Sequence, residues 1–497
     1  MPDSADNLPF ALYNATQVRQ LDASLIAAGT PGFKLMTLAA HAIWRVLRRR
    51  WQSIGELTVL AGKGNNAGDG YLIAELALRA GWQVRVIAVG DTAALCGDAA
   101  LAFKQAQAAG VLVEYWSGQA ALKGVVVDAL LGTGLAGPVR EPYAAVIGQI
   151  NKSGLPVLAV DIPSGLSADT GQVLGCAVRA DITFTLIGLK IGLFTGQAPE
   201  YVGHIAFDDL QVDPAIVAAQ AATAQRIAKG NAPQLPARRP TVHKGQLGHV
   251  LVVGGDHGFA GAALLTAQSA LRSGAGLVSL ATRCEHVAAA QARIPEVMAA
   301  AVASANQLLA LGQGASVWVF GPGLGQRAWG RSLLSVAAIS QVPQVWDADA
   351  LNLLASGCVS LPANCVITPH PGEAARLLGL STAQVQADRP AAARALAQQF
   401  NGVCVLKGAG SLIADPGGHL RLCDHGHPVM AGAGLGDVLA GVIGALLAQG
   451  LAPFAAATLA VWLHARAGER LAVMGVGLAA SDLCDAIRQL LQEQSVV

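Results

Sequence analysis

Short apolar runs rich in valine, isoleucine and leucine recur along the chain, and most are followed by an Ala- and Leu-rich stretch of helical length. This alternation predicts strand–helix–strand units, and therefore parallel sheets covered by helices. In the first half the predicted strands are residues 57–61, 84–89, 125–127, 157–160 and 182–186. In the second half they are residues 250–253, 277–280, 317–320, 345–346, 366–368 and 403–406. The pattern predicts an α/β protein.

The chain length and a proline-rich segment in the middle predict two domains. A chain of 497 residues exceeds the size at which one hydrophobic core stops growing. Turn-forming and basic residues lie between the two sets of strands: Gly230, Asn231, Pro233, Pro236, Arg238, Arg239 and Pro240. This composition is typical of an interdomain linker. We therefore place the boundary near residue 230, with domains of residues 1–229 and 230–497.

One apolar segment, residues 438–463, contains no charged residue and is long enough to cross a bilayer. Gln449, Gly450 and Pro453 interrupt it, and charged anchors do not flank it. We predict two buried helices there instead of a membrane span.

Charge and cysteine usage indicate a cytosolic protein with a small-molecule ligand. Lys+Arg 33 against Asp+Glu 32 gives a net charge of +1, so there is no electrostatic reason to expect a nucleic acid or a membrane as partner. The eight cysteines occur singly, which favours reduced core thiols over disulfides or a metal site. Residues 1–10 carry Asp3 and Asp6 and lack the basic start of a secretory signal.

A glycine- and amide-rich loop follows the first predicted strand. It reads Gly62-Lys63-Gly64-Asn65-Asn66-Ala67-Gly68-Asp69-Gly70, with a helix predicted from about Tyr71. Backbone amides in such a loop can approach a phosphate. Gly62, Gly64 and Ala67 also fit the dinucleotide-binding fingerprint, with Asp91 as a candidate ribose acid. That fingerprint does not require the paired amides or the acid after them, which favour a ribose, a nicotinamide or a hard cation.

Two further strands in this half lead into acidic residues. Asp128 lies in Val-Val-Val-Asp-Ala-Leu-Leu-Gly-Thr-Gly, and Asp161 lies in Val-Asp-Ile-Pro-Ser-Gly. Either aspartate alone is explained equally well as a helix cap or turn residue. Ligands of parallel sheets bind beyond the carboxyl ends of strands, so three such ends together favour a site.

These three motifs, in this order, resemble the NAD(P)H-hydrate epimerase domain over about residues 15–215. The resemblance implies a Rossmann-like three-layer fold, with K+ held by Asn66, Asp128 and Ser164. It implies that these residues contact the hydrated nucleotide: Asn65, Asn66, Ala67, Gly68, Asp69, Gly132, Thr133, Gly134, Leu135, Ala136, Gly137, Pro138 and Asp161. Asp161 is our candidate acid/base, because a carboxylate at a strand end can shuttle a proton. Two positions depart from the family: Ala67 replaces a glycine, and Thr37 stands where an acid is usual.

The second half carries its own set of motifs, of which the first precedes a predicted strand and the others follow strands. They are His243-Lys244-Gly245, Gly254-Gly255-Asp256, Gly321-Pro322-Gly323-Leu324-Gly325 and His370-Pro371-Gly372-Glu373. An isolated His370 is more often a structural histidine, but prolines on both sides fix its direction. Residues 407–411 suit either a phosphate cradle or a tight hairpin turn. A glycine run at 432–436 leads into Asp437, which is placed to accept a hydroxyl proton; an N-cap explains Asp437 alone but not the glycines.

This half resembles the ribokinase-like fold and, within it, the NAD(P)H-hydrate dehydratase domain over about residues 240–490. The resemblance implies that the hydrated cofactor is contacted by Ala262, Gly323, His370 and Asp437. It implies that the adenine nucleotide is bound by Lys407, Gly408, Ala409, Gly410, Ser411 and Gly436. ADP or ATP would phosphorylate the hydroxyl of the hydrate, with Mg2+ neutralising the phosphates, and loss of phosphate would restore NADH or NADPH. Asp349 and Glu373 are further candidates with undecided roles.

The combined resemblance predicts a bifunctional repair enzyme: an isomerase that interconverts the R and S hydrates and a lyase that dehydrates the S hydrate. With ADP the products would be AMP and phosphate. Bacterial members favour ADP, and homo-oligomers are common in the family. Two alternatives are a kinase that releases a phosphorylated small alcohol, and an N-terminal half that only binds a ligand or protein.

Overall fold

The computed structural model describes residues 7–494 and divides into two compact units between Gln225 and Arg226. Asp3 and Asp6, which bear on the predicted absence of a secretory signal, lie outside the described residues. The sequence-based boundary near residue 230 lies a few residues beyond this division, and residues 232–239 form neither helix nor strand.

The N-terminal unit contains ten strands and six α-helices among the described residues. The strands are β1 (Ala11–Tyr13), β2 (Glu56–Ala61), β3 (Gln83–Ala88), β4 (Val113–Tyr115), β5 (Val125–Ala129), β6 (Val157–Val160), β7 (Ile182–Leu186), β8 (Leu189–Lys190), β9 (His204–Asp208) and β10 (Ala224–Arg226). The helices are α1 (Ala15–Ala27), α2 (Gly32–Arg50), α3 (Asn65–Arg79), α4 (Gly97–Ala108), α5 (Tyr143–Lys152) and α6 (Pro214–Ala219).

Seven of these strands form a parallel sheet in the order β4-β3-β2-β5-β6-β7-β9. Alternate residues of β2 face opposite sides: Val59 packs in a core with α1 to α4, and Leu60 packs in a core with Val146 and Ile147 of α5. Helices therefore cover both faces, which confirms the predicted three-layer Rossmann-like domain. The strand order reverses between β2 and β5, and ligands of such sheets bind at that point.

The C-terminal unit contains nine strands and eleven α-helices among the described residues. The strands are β11 (His249–Val253), β12 (Leu277–Thr282), β13 (Met298–Ala301), β14 (Val317–Phe320), β15 (Gln344–Trp346), β16 (Cys365–Ile367), β17 (Val403–Leu406), β18 (Ser411–Ala414) and β19 (Leu420–Cys423). The helices are α7 (Ala260–Arg272), α8 (Cys284–Arg293), α9 (Ala305–Leu311), α10 (Ala328–Ala337), α11 (Asp349–Ala355), α12 (Pro371–Leu378), α13 (Thr382–Ala387), α14 (Arg389–Gln399), α15 (Leu435–Ala448), α16 (Pro453–Ala472) and α17 (Leu483–Gln494).

The sheet of this unit runs β13-β12-β11-β14-β15-β16-β17-β18-β19. The strands from β13 to β17 are parallel, and β18 and β19 continue the sheet antiparallel. Valines of β11, β14 and β15 pack against α7, α15 and α16 in one large core. The strand order reverses between β11 and β14, so the expected ligand position is the edge where these strands end.

The apolar segment 438–463 forms parts of two buried helices, α15 and α16, as predicted. Within residues 7–494, no helix is both long enough and apolar enough to span a bilayer. All eight cysteines are free, but only Cys365, Cys404, Cys423 and Cys484 are buried. The prediction that all are core thiols is therefore wrong for the other four, because single cysteines in this chain also lie at helix starts and in turns.

Candidate active sites

The glycine- and amide-rich loop of the N-terminal unit is shorter than predicted. Helix α3 already begins at Asn65, with Gly64 as its N-cap, so the predicted start at Tyr71 is wrong. The first amides of a helix have no hydrogen-bond partner within the helix. The backbone amides at the start of α3 can therefore bind a ligand although they belong to the helix. A Cβ atom on Gly62 would lie 1.9 Å from the carbonyl oxygen of Leu130. Backbone packing against the end of β5 therefore requires this glycine.

Asp128 and Ser164 form a buried pair at the edge of the sheet. The Ser164 hydroxyl donates to Asp128 Oδ1 at 2.6 Å, and the Ser164 amide donates to Oδ2 at 2.8 Å. Burial raises the pKa of the Asp128 carboxyl to about 6, although hydrogen bonds from Ser164 and Leu130 favour its charged form. A bound cation would offset the cost of burying this charge.

Asn66 links three elements at the same edge. Its Nδ2 donates to the carbonyl of Val160 at 2.9 Å, and a Cβ atom on Gly132 would lie 2.5 Å from its Oδ1. The structure thus brings the start of α3, the end of β6 and the loop of residues 132–138 together. In that loop Gly132, Thr133 and Leu135 are half-buried, and the other residues are exposed: Gly134, Ala136, Gly137 and Pro138.

Asp161 follows β6 in a left-handed backbone conformation, with φ +67°. Its amide donates to the carbonyl of Phe184 at 2.7 Å, which fixes the strand end. Its carboxylate pairs with the ammonium group of Lys190. The left-handed region is uncommon for a residue with a side chain and often marks functional positions.

In the C-terminal unit, the turns after β11 and β14 meet at the reversal of strand order. The Asp256 amide donates to the carbonyl of Gly323 at 2.6 Å. Gly323 has φ +60° and lies against Phe259, where a Cβ atom would be 2.5 Å from the Phe259 carbonyl oxygen. Helix α7 then places Ala262 in its first turn. Two of the glycine-rich motifs and the start of α7 therefore share one edge.

Asp437 lies in the first turn of α15, whose N-cap is Gly434 in a left-handed conformation. Asp437 is therefore not the N-cap, and this alternative is wrong. Burial, together with the negative charge of Asp347, raises the pKa of Asp437 to about 7, although Lys407 opposes the shift. The hydroxyl of Thr266 lies 3.0 Å from the carbonyl oxygens of both Ala262 and Asp437. One side chain thus ties the starts of α7 and α15 together.

Lys407 lies next to the same helix start. Its Nζ is 2.7 Å from Asp347 Oδ1 and 3.9 Å from Glu373 Oε2. A Cβ atom on Gly436 would lie 3.3 Å from that Nζ and 3.4 Å from Asp347 Oδ2. Gly436 therefore leaves room for a close approach of this ion pair to the helix amides.

Residues 407–411 form the turn of the antiparallel hairpin between β17 and β18. The two interpretations of this segment are compatible, because the turn lies where a parallel strand ends. The Ser411 hydroxyl donates to the carbonyl of Gly408 at 2.9 Å. The buried guanidinium of Arg389 donates to the carbonyls of Lys407 and Gly410 at 3.3 and 3.4 Å.

His370 is the N-cap of α12, and its Nδ1 accepts from the Gly372 amide at 3.0 Å. Glu373 completes a capping box by accepting from the His370 amide at 2.8 Å. The His370 side chain is 52% exposed, so its capping role leaves it accessible to a ligand. Asp349 instead accepts from the Gly325 amide at 2.9 Å and holds the turn after β14.

Comparison with known proteins agrees with this geometry. The family model for NAD(P)H-hydrate dehydratase matches residues 250–489, and a model described as YjeF-related protein N-terminus matches residues 32–192. A bifunctional NAD(P)H-hydrate repair enzyme of Coxiella burnetii is 43% identical over 97% of this chain and 99% of the relative. An enzyme of the same name from Escherichia coli is 40% identical over 98% of this chain and 95% of the relative. This chain belongs to the bifunctional NAD(P)H-hydrate repair enzymes.

As a bifunctional NAD(P)H-hydrate repair enzyme, the chain combines an epimerase part with a dehydratase part. A solved ribokinase-like protein from Enterococcus faecalis matches with a TM-score of 0.51 at 27% identity and covers 55% of this chain and 96% of that chain. The predicted family, bifunctional activity and ribokinase-like fold are confirmed.

Four charged residues of this repair enzyme were not predicted from the sequence. They are Asp22, Lys190, Asp347 and Arg389. Asp22 and Arg389 lie on helices and Lys190 on a two-residue strand, where no motif marks them. Asp347 directly follows the predicted strand 345–346, so the strand-end rule could have found it.

Proposed function

We propose that residues 1–229 interconvert the R and S hydrates of NADH and NADPH, and that residues 230–497 dehydrate the S hydrate with ADP or ATP. One observation carries this assignment: each parallel sheet has a partly exposed aspartate at its ligand edge, Asp161 in one and Asp437 in the other. Each aspartate lies beside loops suited to a nucleotide, so each half has a proton acceptor and a binding surface.

In the epimerase half, Asp161 would accept a proton from the bound hydrate and return it during interconversion of the epimers. Residues 65–69 and 132–138 would hold the nucleotide, because they converge at Asn66. The oxygens of Asn66, Asp128 and Ser164 form a donor set that suits a hard cation. They would hold K+, which supplies a positive charge beside the buried Asp128 carboxylate.

In the dehydratase half, Asp437 would accept the proton of the hydrate hydroxyl as its oxygen attacks the terminal phosphoryl group of the nucleotide. A pKa of about 7 is well matched to a base working near neutral pH. Ala262, Gly323 and His370 would contact the hydrate. The phosphorylated hydrate would then lose phosphate and a proton to restore the dihydronicotinamide.

The adenine nucleotide would lie against residues 407–411 and Gly436. Lys407 supplies a cation there, and the free amides at the start of α15 favour negative charge. Mg2+ would neutralise the nucleotide phosphates when bound. We propose ADP as the preferred nucleotide, with AMP and phosphate as products, on the resemblance to bacterial members.

We also propose that the enzyme works in the cytosol as a homo-oligomer. The eight free cysteines are compatible with a reducing compartment, and the oligomer is proposed on family resemblance. Sedimentation velocity of the purified chain would determine the assembly state.

The full-length protein should be given a mixture of R and S NADH hydrates with Mg2+ and either ADP or ATP. We expect complete recovery of NADH and one phosphate released per NADH. Asp437→Ala should abolish the recovery, because the base is lost. With Asp161→Ala, the recovery of NADH should stop at the fraction of the mixture that was S hydrate, because the R hydrate is no longer converted.

Product analysis also tests the alternatives. A phosphorylated product without phosphate release would indicate a small-alcohol kinase. Unchanged conversion of the R hydrate by Asp161→Ala would remove Asp161 from the epimerase reaction.

A further inference from the structure

Lys190 is a fully buried lysine at the edge of the epimerase site. Its side chain is 1% exposed. The ammonium group contacts three acceptors: the Asp161 carboxylate, the Thr185 hydroxyl at 2.9 Å and the Leu186 carbonyl at 3.4 Å. An ammonium group has three N–H donors, so these acceptors account for all of them. Lys190 is therefore held in one position and has no donor left for a ligand.

Burying an ammonium group is costly unless a negative charge compensates it. The compensating group here is Asp161, whose own side chain is 15% exposed. The pair thus consists of a hidden cation and a carboxylate that reaches the ligand edge. This asymmetry favours a role in which Lys190 acts through Asp161.

Further carboxylates influence the same pair. Burial raises the pKa of Asp22 to about 6, with Lys190 opposing and Asp161 adding to the shift. Burial, followed by the charges of Asp161 and Asp22, raises the pKa of Asp69 well above its usual value. Asp22 and Asp161 therefore share one cation, Lys190, and Asp69 adds a third carboxylate that interacts with both. Without Lys190, the repulsion between Asp161 and the neighbouring carboxylates would be uncompensated.

We propose that Lys190, held by Thr185, is a positioning residue that orients the Asp161 carboxylate and compensates its negative charge during proton transfer. This inference rests on the proposed role of Asp161 in epimerisation. Thr185 contributes twice, because its oxygen accepts from Lys190 and lies 3.4 Å from Asp161 Oδ1.

The first test is Thr185→Val in the full-length protein, with Thr183→Val as the matched control. Both threonines are buried on β7, but the Thr183 hydroxyl donates to the Val202 carbonyl at 2.7 Å instead of joining the cluster. Conversion of purified R hydrate to S hydrate, without nucleotide, should be followed by chromatography from pH 5 to 9, with spontaneous conversion subtracted. We expect Thr185→Val to move the acid limb of the rate profile to higher pH, and Thr183→Val to leave it in place.

Lys190→Met should move the acid limb further in the same direction, because the whole compensating charge is removed. The epimerisation rate near pH 6 should then fall at least tenfold and recover as the pH rises. Dehydration of pure S hydrate by the same variants should stay unchanged, which shows that the dehydratase half is intact, and circular dichroism reports whether the epimerase half is folded.

A uniform loss of rate at every pH, or an unshifted limb in both cluster variants, would overturn the inference and leave Lys190 with a structural role only. Asp161→Asn separates this failure from that of the proposed function. If Asp161→Asn still converts the R hydrate, the proposed role of Asp161 is wrong. If it does not, while Thr185→Val and Lys190→Met keep the wild-type profile, only the role of Lys190 is wrong.

Discussion

At the scale of single residues, Asp437 shows how neighbours set the chemistry of a side chain that the sequence marks. The glycine run before it was enough to select it as a candidate base. Its pKa of about 7 comes from burial and from the nearby Asp347 carboxylate, with Lys407 opposing. Neither neighbour is close to it in sequence, so this property required the fold.

This environment predicts the pH dependence of dehydration. Asp437 accepts a proton only when ionised, so kcat/KM for the S hydrate should fall about tenfold per pH unit well below pH 7. Asp347→Asn removes a like charge and should move this acid limb to lower pH. Steady-state rates across pH 5 to 9 test both expectations.

Asp415→Asn is a suitable control, because Asp415 pairs with His419 at 2.8 Å in the turn between β18 and β19. The acid limb of the kcat/KM profile of Asp415→Asn should coincide with that of the wild-type protein. A flat profile below pH 7 would exclude Asp437 as the base.

At the scale of elements, the repeated apolar runs predicted most strands of the two parallel sheets, because buried parallel strands are continuously apolar. Short strands escaped prediction: β13 is Met298–Ala301, without a β-branched residue, and β8 has two residues. The start of α3 was placed too late, because glycine and asparagine favour loops in isolation. Here they occupy the first turns, where their amides face the ligand edge.

The two glycines that flank Lys63 should differ in how strongly their replacement by alanine destabilises the protein. Gly62→Ala would place a methyl group 1.9 Å from the Leu130 carbonyl oxygen, whereas a Cβ on Gly64 meets nothing within 4 Å. We expect Gly62→Ala to lower the free energy of unfolding by about 1–3 kcal/mol, and Gly64→Ala to lower it less, because only the preference of an N-cap for glycine over alanine is lost. Denaturant titration measures both, and equal effects would contradict the assigned packing.

At the scale of the whole molecule, both units place most of their candidate residues along the edge at which the parallel strands end. The topology rule predicts ligand binding at this edge, and the motifs that follow strands in both halves lie there. The partners that complete each site, such as Lys190, Asp347 and Arg389, come from other elements. A motif search cannot pair them, because their contacts depend on tertiary packing.

The two activities should complement each other between molecules. The hydrate is a small diffusible compound, so an equimolar mixture of Asp161→Ala and Asp437→Ala proteins should restore complete recovery of NADH from mixed hydrates. Asp161→Ala alone should recover only the fraction of NADH that was present as S hydrate, and Asp437→Ala alone should recover none. Failure of the mixture, with both variants folded, would indicate that the two reactions must occur on one chain.

The Thr266 hydroxyl contacts the first turns of both α7 and α15. This contact affects how much conformational entropy the protein loses when a ligand binds. Because one buried side chain joins these helix ends, the hydrate and the nucleotide would meet a frame that is already assembled at the proposed site. Little ordering then remains to oppose binding, and the reacting groups can meet at a fixed separation. Rigidity of this kind makes affinity depend on the fit of the ligands more than on closure of the protein around them.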